Sequence, residues 1–178
     1  MGLVDRLFKK PDDFPVITRT PSGISGRMTA HQAWAVAAPM AKAADDGARL
    51  TLITSGLDLD RQGCSRTWDF LFYLPNRTLT MMLSLEPDPQ SEELEIGPVI
   101  VTTRTHKASS SDSARPAFPD RFRDSPDVVA ELSAHGVDFV AGPSDMKLEG
   151  RMRSSGDAVW VTYYWDQEFI AAFSAMTG

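Results

Sequence analysis

Apolar side chains follow the 3.6-residue period of a helix in two segments of the sequence. The first segment begins at Thr29, which has the pattern of a capping box with Gln32, and we expect it to stop at Gly47. The second begins at Ser125 as the N-cap and stops at Gly136. Each helix should bury one apolar stripe, and the stripe of the first consists of Ala30, Ala33, Trp34, Ala37 and Ala41.

Apolar runs that alternate or are rich in aromatic residues predict strands after each helix. Turn-forming residues bound these runs, including Gly156 between the runs 145–153 and 158–165. The predicted strands after the first helix are 49–54, 68–75, 78–85 and 97–105, and those after the second are 145–153, 158–165 and 168–175.

The two halves of the chain share one plan, in which a helix is followed by strands and a glycine turn leads into a tryptophan-bearing strand. Trp68 follows Gly63 in the first half, and Trp160 follows Gly156 in the second. This plan suggests two related units. The predicted divisions are an N-terminal arm (1–28), a first unit (29–105), a connector (106–124) and a second unit (125–178).

Short motifs in both halves resemble PepSY-like domains. The segment DRQGCSRTWDFLFYLPN (60–76) is similar to an Asp-x-x-Gly-x-Ser-x-x-Trp-x-Phe-x-Phe-x-x-Pro pattern of that group, and AVWVTYYWDQEFIAAFSAMTG (158–178) resembles its closing segment. The resemblance implies an α+β fold of two cystatin-like units, each a helix packed on a curled antiparallel sheet. It also implies a non-catalytic binding or inhibitory module.

Charge and composition narrow the function classes. The formal net charge of −6 argues against a nucleic-acid partner. The single cysteine, Cys64, excludes an internal disulfide. No apolar run reaches the roughly 18 residues of a membrane span, and the start MGLVDRLFKKPDDF does not have the pattern of a signal peptide. We therefore expect a cytoplasmic protein.

One stretch has the spacing of a calcium loop, with oxygen-bearing side chains at regular positions. Its residues are Asp58, Asp60, Gln62, Gly63 and Asp69. A strand rather than a helix is predicted from Trp68 onward, which favours a solvated turn without a metal. Cys64 and the three scattered histidines (His31, His106 and His135) form no nucleophile pattern. We therefore predict neither an enzyme nor a bound cofactor.

The N-terminal arm supplies the candidate contact residues Leu3, Val4, Leu7 and Phe8, which recur at helical spacing. They could bind a protein partner, touch a membrane surface or pack on their own domain. Our main hypothesis is a non-enzymatic protein-interaction or regulatory module that acts through a sheet face or edge, and through this arm. The alternative is a carrier of an apolar ligand, with a cavity between helix and sheet lined by Trp34, Phe70 and Phe72. The partner and the oligomeric state are not assigned by the sequence.

Overall fold

The computed structural model of the 178-residue chain describes residues 16–75, 77–86, 97–109, 113–137, 146–164 and 169–176. These residues contain two helices, α1 (Ala30–Ala44) and α2 (Ser125–Ala134). They also contain eight strands: β1 (Val16–Ser25), β2 (Arg49–Ser55), β3 (Thr67–Leu74), β4 (Arg77–Leu85), β5 (Pro98–Lys107), β6 (Met146–Met152), β7 (Ala158–Tyr164) and β8 (Phe169–Ser174).

All eight strands belong to one antiparallel sheet, in the order β1-β5-β4-β3-β2-β6-β7-β8. Strands β2 to β5 form one meander, in which consecutive strands are neighbours, and strands β6 to β8 form a second. The meanders join at the β2–β6 contact, where Ile53 lies opposite Gly150 and Thr54 opposite Glu149. The two halves therefore share a continuous sheet.

Both helices pack on one face of the sheet, here called the inner face. Trp34 of α1 stacks on Phe72 of β3 with ring centroids 5.9 Å apart. At the end of α2, His135 lies 5.6 Å from the ring of Phe173 in β8. The apolar stripes of both helices lie in one buried cluster with the inward side chains of the strands. The opposite face, here called the outer face, has no helical cover within the described residues.

The predicted fold class is wrong. The chain is mainly β, and its single eight-stranded sheet does not form two cystatin-like α+β units that each place a helix on a sheet of their own. The hydrophobic pattern correctly located both helices and seven of the strands. That pattern is local, however, and it does not show which strand edges will pair. The pairing of β2 with β6 merges the two meanders.

Strand β1 lies within the predicted N-terminal arm (1–28), and it is the one described strand that the sequence analysis did not predict. It pairs with β5 from Val16 to Pro21, with a bulge before Ser25. Pro21 is tolerated because β1 is an edge strand, where alternate N–H groups make no ladder hydrogen bond.

The helix caps agree with the sequence at α1 and differ at α2. At α1 the capping box is confirmed: the backbone N–H of Thr29 donates to Gln32 Oε1 (2.9 Å), and that of Gln32 donates to Thr29 Oγ1 (3.3 Å). At α2 the N-cap is Asp124, one residue earlier than predicted, and Ser125 is the first helical residue. Ser125 instead uses its hydroxyl to bind another part of the chain, as described below.

The segment predicted as a connector (106–124) contributes two aromatic side chains to the core. The backbone N–H of Phe118 donates to the carbonyl of Leu50 (2.7 Å), and the rings of Phe118 and Phe122 are buried. Phe118 packs beside Gly150, where an added Cβ would lie 3.0 Å from its ring and 2.9 Å from Trp160. Gly150 is therefore required by the close approach of two aromatic rings.

Candidate functional site

The calcium-like loop is organised around an arginine. Arg27 Nε lies 2.9 Å from Asp60 Oδ2, and its Nη1 lies 3.3 Å from Asp58 Oδ2. The Nη2 group of the same guanidinium donates to the carbonyl of Cys64 at 3.0 Å. The predicted turn is present, but both carboxylates retain only about a fifth of their exposure, so these two acids are not solvated as expected. The cation that neutralises these acids belongs to the chain itself.

The remaining oxygen atoms of the two aspartates hold the loop backbone. Asp60 Oδ1 accepts from the backbone N–H of Gln62 (2.9 Å) and Cys64 (2.8 Å), and Asp58 Oδ1 accepts from the Ser65 hydroxyl (2.6 Å). Within the described ranges, no cluster of three or more His, Cys, Asp or Glu side chains is placed to hold a metal ion.

The same loop is fixed to the start of α2. Ser125 Oγ donates to the carbonyl of Gly63 (2.6 Å), and an added Cβ at Gly63 would lie 2.4 Å from Pro126 N. Asp124 accepts from the backbone N–H of His31 (2.9 Å) and from the Thr29 hydroxyl (2.9 Å), so it binds the starts of both helices. This polar cluster therefore has a structural role, since its hydrogen bonds join the loop and the two helices.

Cys64 has neither the electrostatics nor the neighbours of a nucleophile. Burial, and then the negative charge of Asp60, raise the pKa of the Cys64 thiol, which disfavours the thiolate. The ring of His31 is hydrogen-bonded to the Phe122 carbonyl (2.7 Å), and that of His135 to the Glu131 carbonyl (2.8 Å). Neither of these hydrogen bonds involves the thiol.

Aromatic side chains fill the space between α1 and the sheet, where a ligand cavity was hypothesised. Trp34 contacts Phe70 and Phe72 with centroid distances of 5.8 and 5.9 Å. Phe70 and Phe72 are themselves buried. The three residues expected to line a cavity therefore pack against one another.

Two surface clefts border the connector. A cleft of about 550 Å³ is lined by the start of β2, the residues around Phe118, and Met152, with Arg49 and Asp157 as charged lining residues. A smaller cleft of about 380 Å³ is lined by Leu52, connector residues 115–116 and the charged side chains of β6. Both clefts are open to solvent.

The outer face carries a patch of half-exposed side chains at its centre. The pairing register of β3, β4 and β5 places six residues together, because residues directly opposite each other point to the same side of a sheet. We call them the outer patch: Asp69, Leu71, Thr80, Met82, Thr102 and Arg104. Met82 keeps 36% of its full exposure, which is high for a large apolar side chain near the middle of a sheet.

Asp69 is the electrostatically unusual member of the outer patch. Its direct cross-strand neighbours, Thr54 and Met82, carry no charge, and it forms no ion pair with any described residue. Burial raises the pKa of the Asp69 carboxyl. By contrast, Glu149, farther along the same row, lies 3.2 Å from Arg151 and 3.8 Å from Lys147.

Arg104 is the complementary member of the outer patch. It is exposed, lies directly opposite Thr80, and forms no ion pair within the part of the chain that the structure describes. The sequence pattern places Asp69 only in the calcium-like spacing and gives no prediction for Arg104. The alternation of 68–74 contains a usable signal, because it places Asp69 on the face opposite Trp68 and Phe70.

The predicted contact residues of the arm, Leu3, Val4, Leu7 and Phe8, lie outside the described residues, so their role stays a prediction. Comparisons with family models, with characterised proteins and with solved structures found no match to this chain. The resemblance to PepSY-like domains therefore has no independent support. Among the described residues, no helix is long and apolar enough to span a membrane.

Proposed function

We propose that this chain is a non-enzymatic protein-interaction module that binds its partner on the outer face of the sheet. One observation carries the proposal. The outer patch combines the partly exposed apolar side chain of Met82 with the partly buried carboxylate of Asp69, which pairs with no cation of the described residues, on a face that neither helix covers. Contiguous exposed apolar surface marks interaction sites, and groups whose pKa is perturbed by burial are enriched at functional sites.

The physical reason is the cost of leaving Asp69 as it is. A carboxylate that is partly removed from water without a compensating partner destabilises its own protein. A bound protein that brings a cation to Asp69 would offset this cost, and its apolar surface would cover Met82 and Leu71. The other polar cluster, around Arg27, is internally satisfied and leaves less for a partner to add.

The sheet edge and the arm extend the same proposal. In β1, Val16 and Ile17 retain 66% and 52% of their exposure, and no described strand pairs with the second edge of β1. An extended segment of a partner could add to such an edge. The arm residues Leu3, Val4, Leu7 and Phe8 remain predicted partner contacts, and the cytoplasm remains the predicted location.

Affinity capture with crosslinking tests the proposal through two matched methionines. Met82→Glu places a charge in the outer patch, and Met176→Glu places the same charge on a methionine at the rim of the 550 Å³ cleft, away from the outer face. We expect crosslinked partners of the wild-type chain to be lost with Met82→Glu and kept with Met176→Glu. Identical partner sets for both variants, with crosslinks away from the outer face, would contradict the proposal.

A second candidate function, a small-molecule carrier, is favoured by the larger cleft. Its volume of about 550 Å³ lies within the usual range of ligand sites, roughly 300–1,000 Å³, and its lining joins apolar Phe118 and Met152 to charged Arg49 and Asp157. Native mass spectrometry of the chain purified from its own host would reveal a bound small molecule. If the wild-type chain and Met176→Glu are both detected only at the mass of the polypeptide itself, this result would argue against a carrier.

A further inference from the structure

Asp69 and Arg104 occupy opposite corners of the outer patch. Asp69 is on β3 and Arg104 on β5, with Met82 and Thr80 between them on β4. Along the strand direction the two residues are offset by two residues, which is the spacing between successive side chains on one face. With strands about 4.8 Å apart and a rise of about 3.4 Å per residue, their Cα atoms are roughly 12 Å apart on this face. At that separation the structure shows no ion pair between these two residues of one chain.

A two-fold axis that lies in the plane of the interface and passes midway between them would exchange the two corners. Each Asp69 would then face an Arg104 and each Arg104 an Asp69, which is the self-complementary arrangement of an isologous interface. We propose that the partner on the outer patch is a second copy of this chain, in a two-fold dimer that pairs Asp69 of each copy with Arg104 of the other. This inference rests on the proposed function, because it names the partner of the same surface.

The charges on the patch favour a second copy over a partner of one sign. A purely basic surface would satisfy Asp69 and oppose Arg104, and a purely acidic surface would do the reverse. A second copy satisfies both charges at once. Thr54, Thr80 and Thr102, three of the neighbouring outward residues, add no charge that would disturb this pairing.

The dimensions of the outer face also suit a dimer. Sheets stack at about 10 Å, a gap that an arginine from one side and an aspartate from the other can bridge. The four neighbouring strands β1, β5, β4 and β3, which lie away from the connector, present roughly 19 Å by 27 Å, or about 520 Å², estimated from strand spacing and rise. Interfaces at the low end of the size range bury less than about 600 Å² per partner, so we expect a weak dimer.

Met82 and Thr80 would lie close to the axis and Leu71 beside it. The apolar contact of Met82 with its symmetry mate would supply most of the affinity. The two Asp69–Arg104 pairs would chiefly set the register, because interfacial ion pairs contribute more to specificity than to net affinity.

Charge exchange tests this arrangement, with oligomeric state measured by sedimentation velocity over a concentration series. We expect the wild-type chain to dimerise, and Asp69→Lys or Arg104→Glu alone to raise the dimer dissociation constant at least about tenfold, because each variant creates two like-charge contacts. The double variant Asp69→Lys with Arg104→Glu should dimerise again. An equimolar mixture of the two single variants should form a heterodimer, in which both contacts join opposite charges.

Circular dichroism of each variant controls for folding. If Asp69→Lys does not fold, the test rests on Arg104, which is exposed. The dimer dissociation constant should rise for Arg104→Glu and should stay near the wild-type value for Arg104→Lys. A monomeric wild-type chain at about 100 μM, or a dimer that none of these substitutions weakens, would overturn the inference. If the chain is monomeric but captures a partner that Met82→Glu abolishes, only the self-association is refuted and the proposed function stands. If the captured partners are also insensitive to Met82→Glu, the proposed function is refuted as well.

Discussion

The indole rings of Trp68 and Trp160 meet edge-to-face in the core, with centroids 6.5 Å apart and planes inclined by 73°. Each indole N–H donates to a backbone carbonyl just before a helix begins. Trp68 Nε1 binds the carbonyl of Met28 (2.8 Å), and Trp160 Nε1 binds the carbonyl of Arg123 (3.0 Å). The two tryptophans therefore join the two meanders to each other and tie each helix start to the shared sheet.

Replacing either indole by phenylalanine should expose a difference between these two sites. The Met28 carbonyl also accepts from the backbone N–H of Ser65 (3.0 Å), whereas the Arg123 carbonyl has no other donor among the described residues. Trp160→Phe should therefore destabilise the fold more than Trp68→Phe, by about 1 kcal/mol for the unsatisfied carbonyl. Urea unfolding followed by circular dichroism measures both, and equal losses would show that this hydrogen bond contributes little.

Arg27 should be essential to stability, because two largely buried carboxylates depend on its charge. Arg27→Met keeps much of the side-chain length but removes the cation of Asp60 and leaves Asp58 only the more distant Arg66 (4.0 Å), which should cost about 3 kcal/mol of unfolding free energy. Arg19→Met is the matched control, because its ion pair with Glu86 is exposed and should change stability by less than about 1 kcal/mol. Chemical denaturation compares them, and similar losses for both would contradict this role of Arg27.

The local parts of this fold can be predicted from the sequence, and the non-local parts cannot. The strand of Trp68 could be predicted from the aromatic residues within its own run, and the Thr29 capping box lies within four positions. The β1–β5 and β2–β6 pairings join segments about 80 to 100 residues apart, and their exposed or mixed side chains carry no pairing signal. The outer patch depends on those pairings and on the β3–β4–β5 register, so Asp69 and Arg104 could not be brought together before the structure.

Thr162 should be a position where a hydroxyl lowers stability. Its side chain is fully buried, and its Oγ1 has no hydrogen-bond partner among the described residues. Thr162→Val keeps the shape, removes the unsatisfied group and should raise the free energy of unfolding by about 1 kcal/mol. Thr51→Val is the matched control, since the buried Thr51 hydroxyl donates to the Leu71 carbonyl (3.0 Å) and its loss should lower stability. Thermal unfolding would contradict the account if both substitutions shifted stability in the same direction.

Asp69 should make stability depend on pH with an unusual sign. Burial raises the pKa of this carboxyl in the folded state, so its contribution to stability is fully present below the ordinary aspartate pKa, about 3.9, and is lost as the pH rises through the folded value. Asp69→Asn removes the titration. Its stability relative to the wild-type chain should therefore increase as the pH rises above about 4 and then level off.

Urea unfolding at a series of pH values, at a protein concentration low enough to keep the chain monomeric, measures this difference. Asp69→Glu is the control, because it keeps a titrating carboxyl at the same place on the outer face and should retain most of the pH dependence. A constant difference between Asp69→Asn and wild type from pH 3 to pH 7 would mean that the carboxylate bears no cost in the free chain. In that case the main electrostatic reason for a partner to bind the outer patch would be removed.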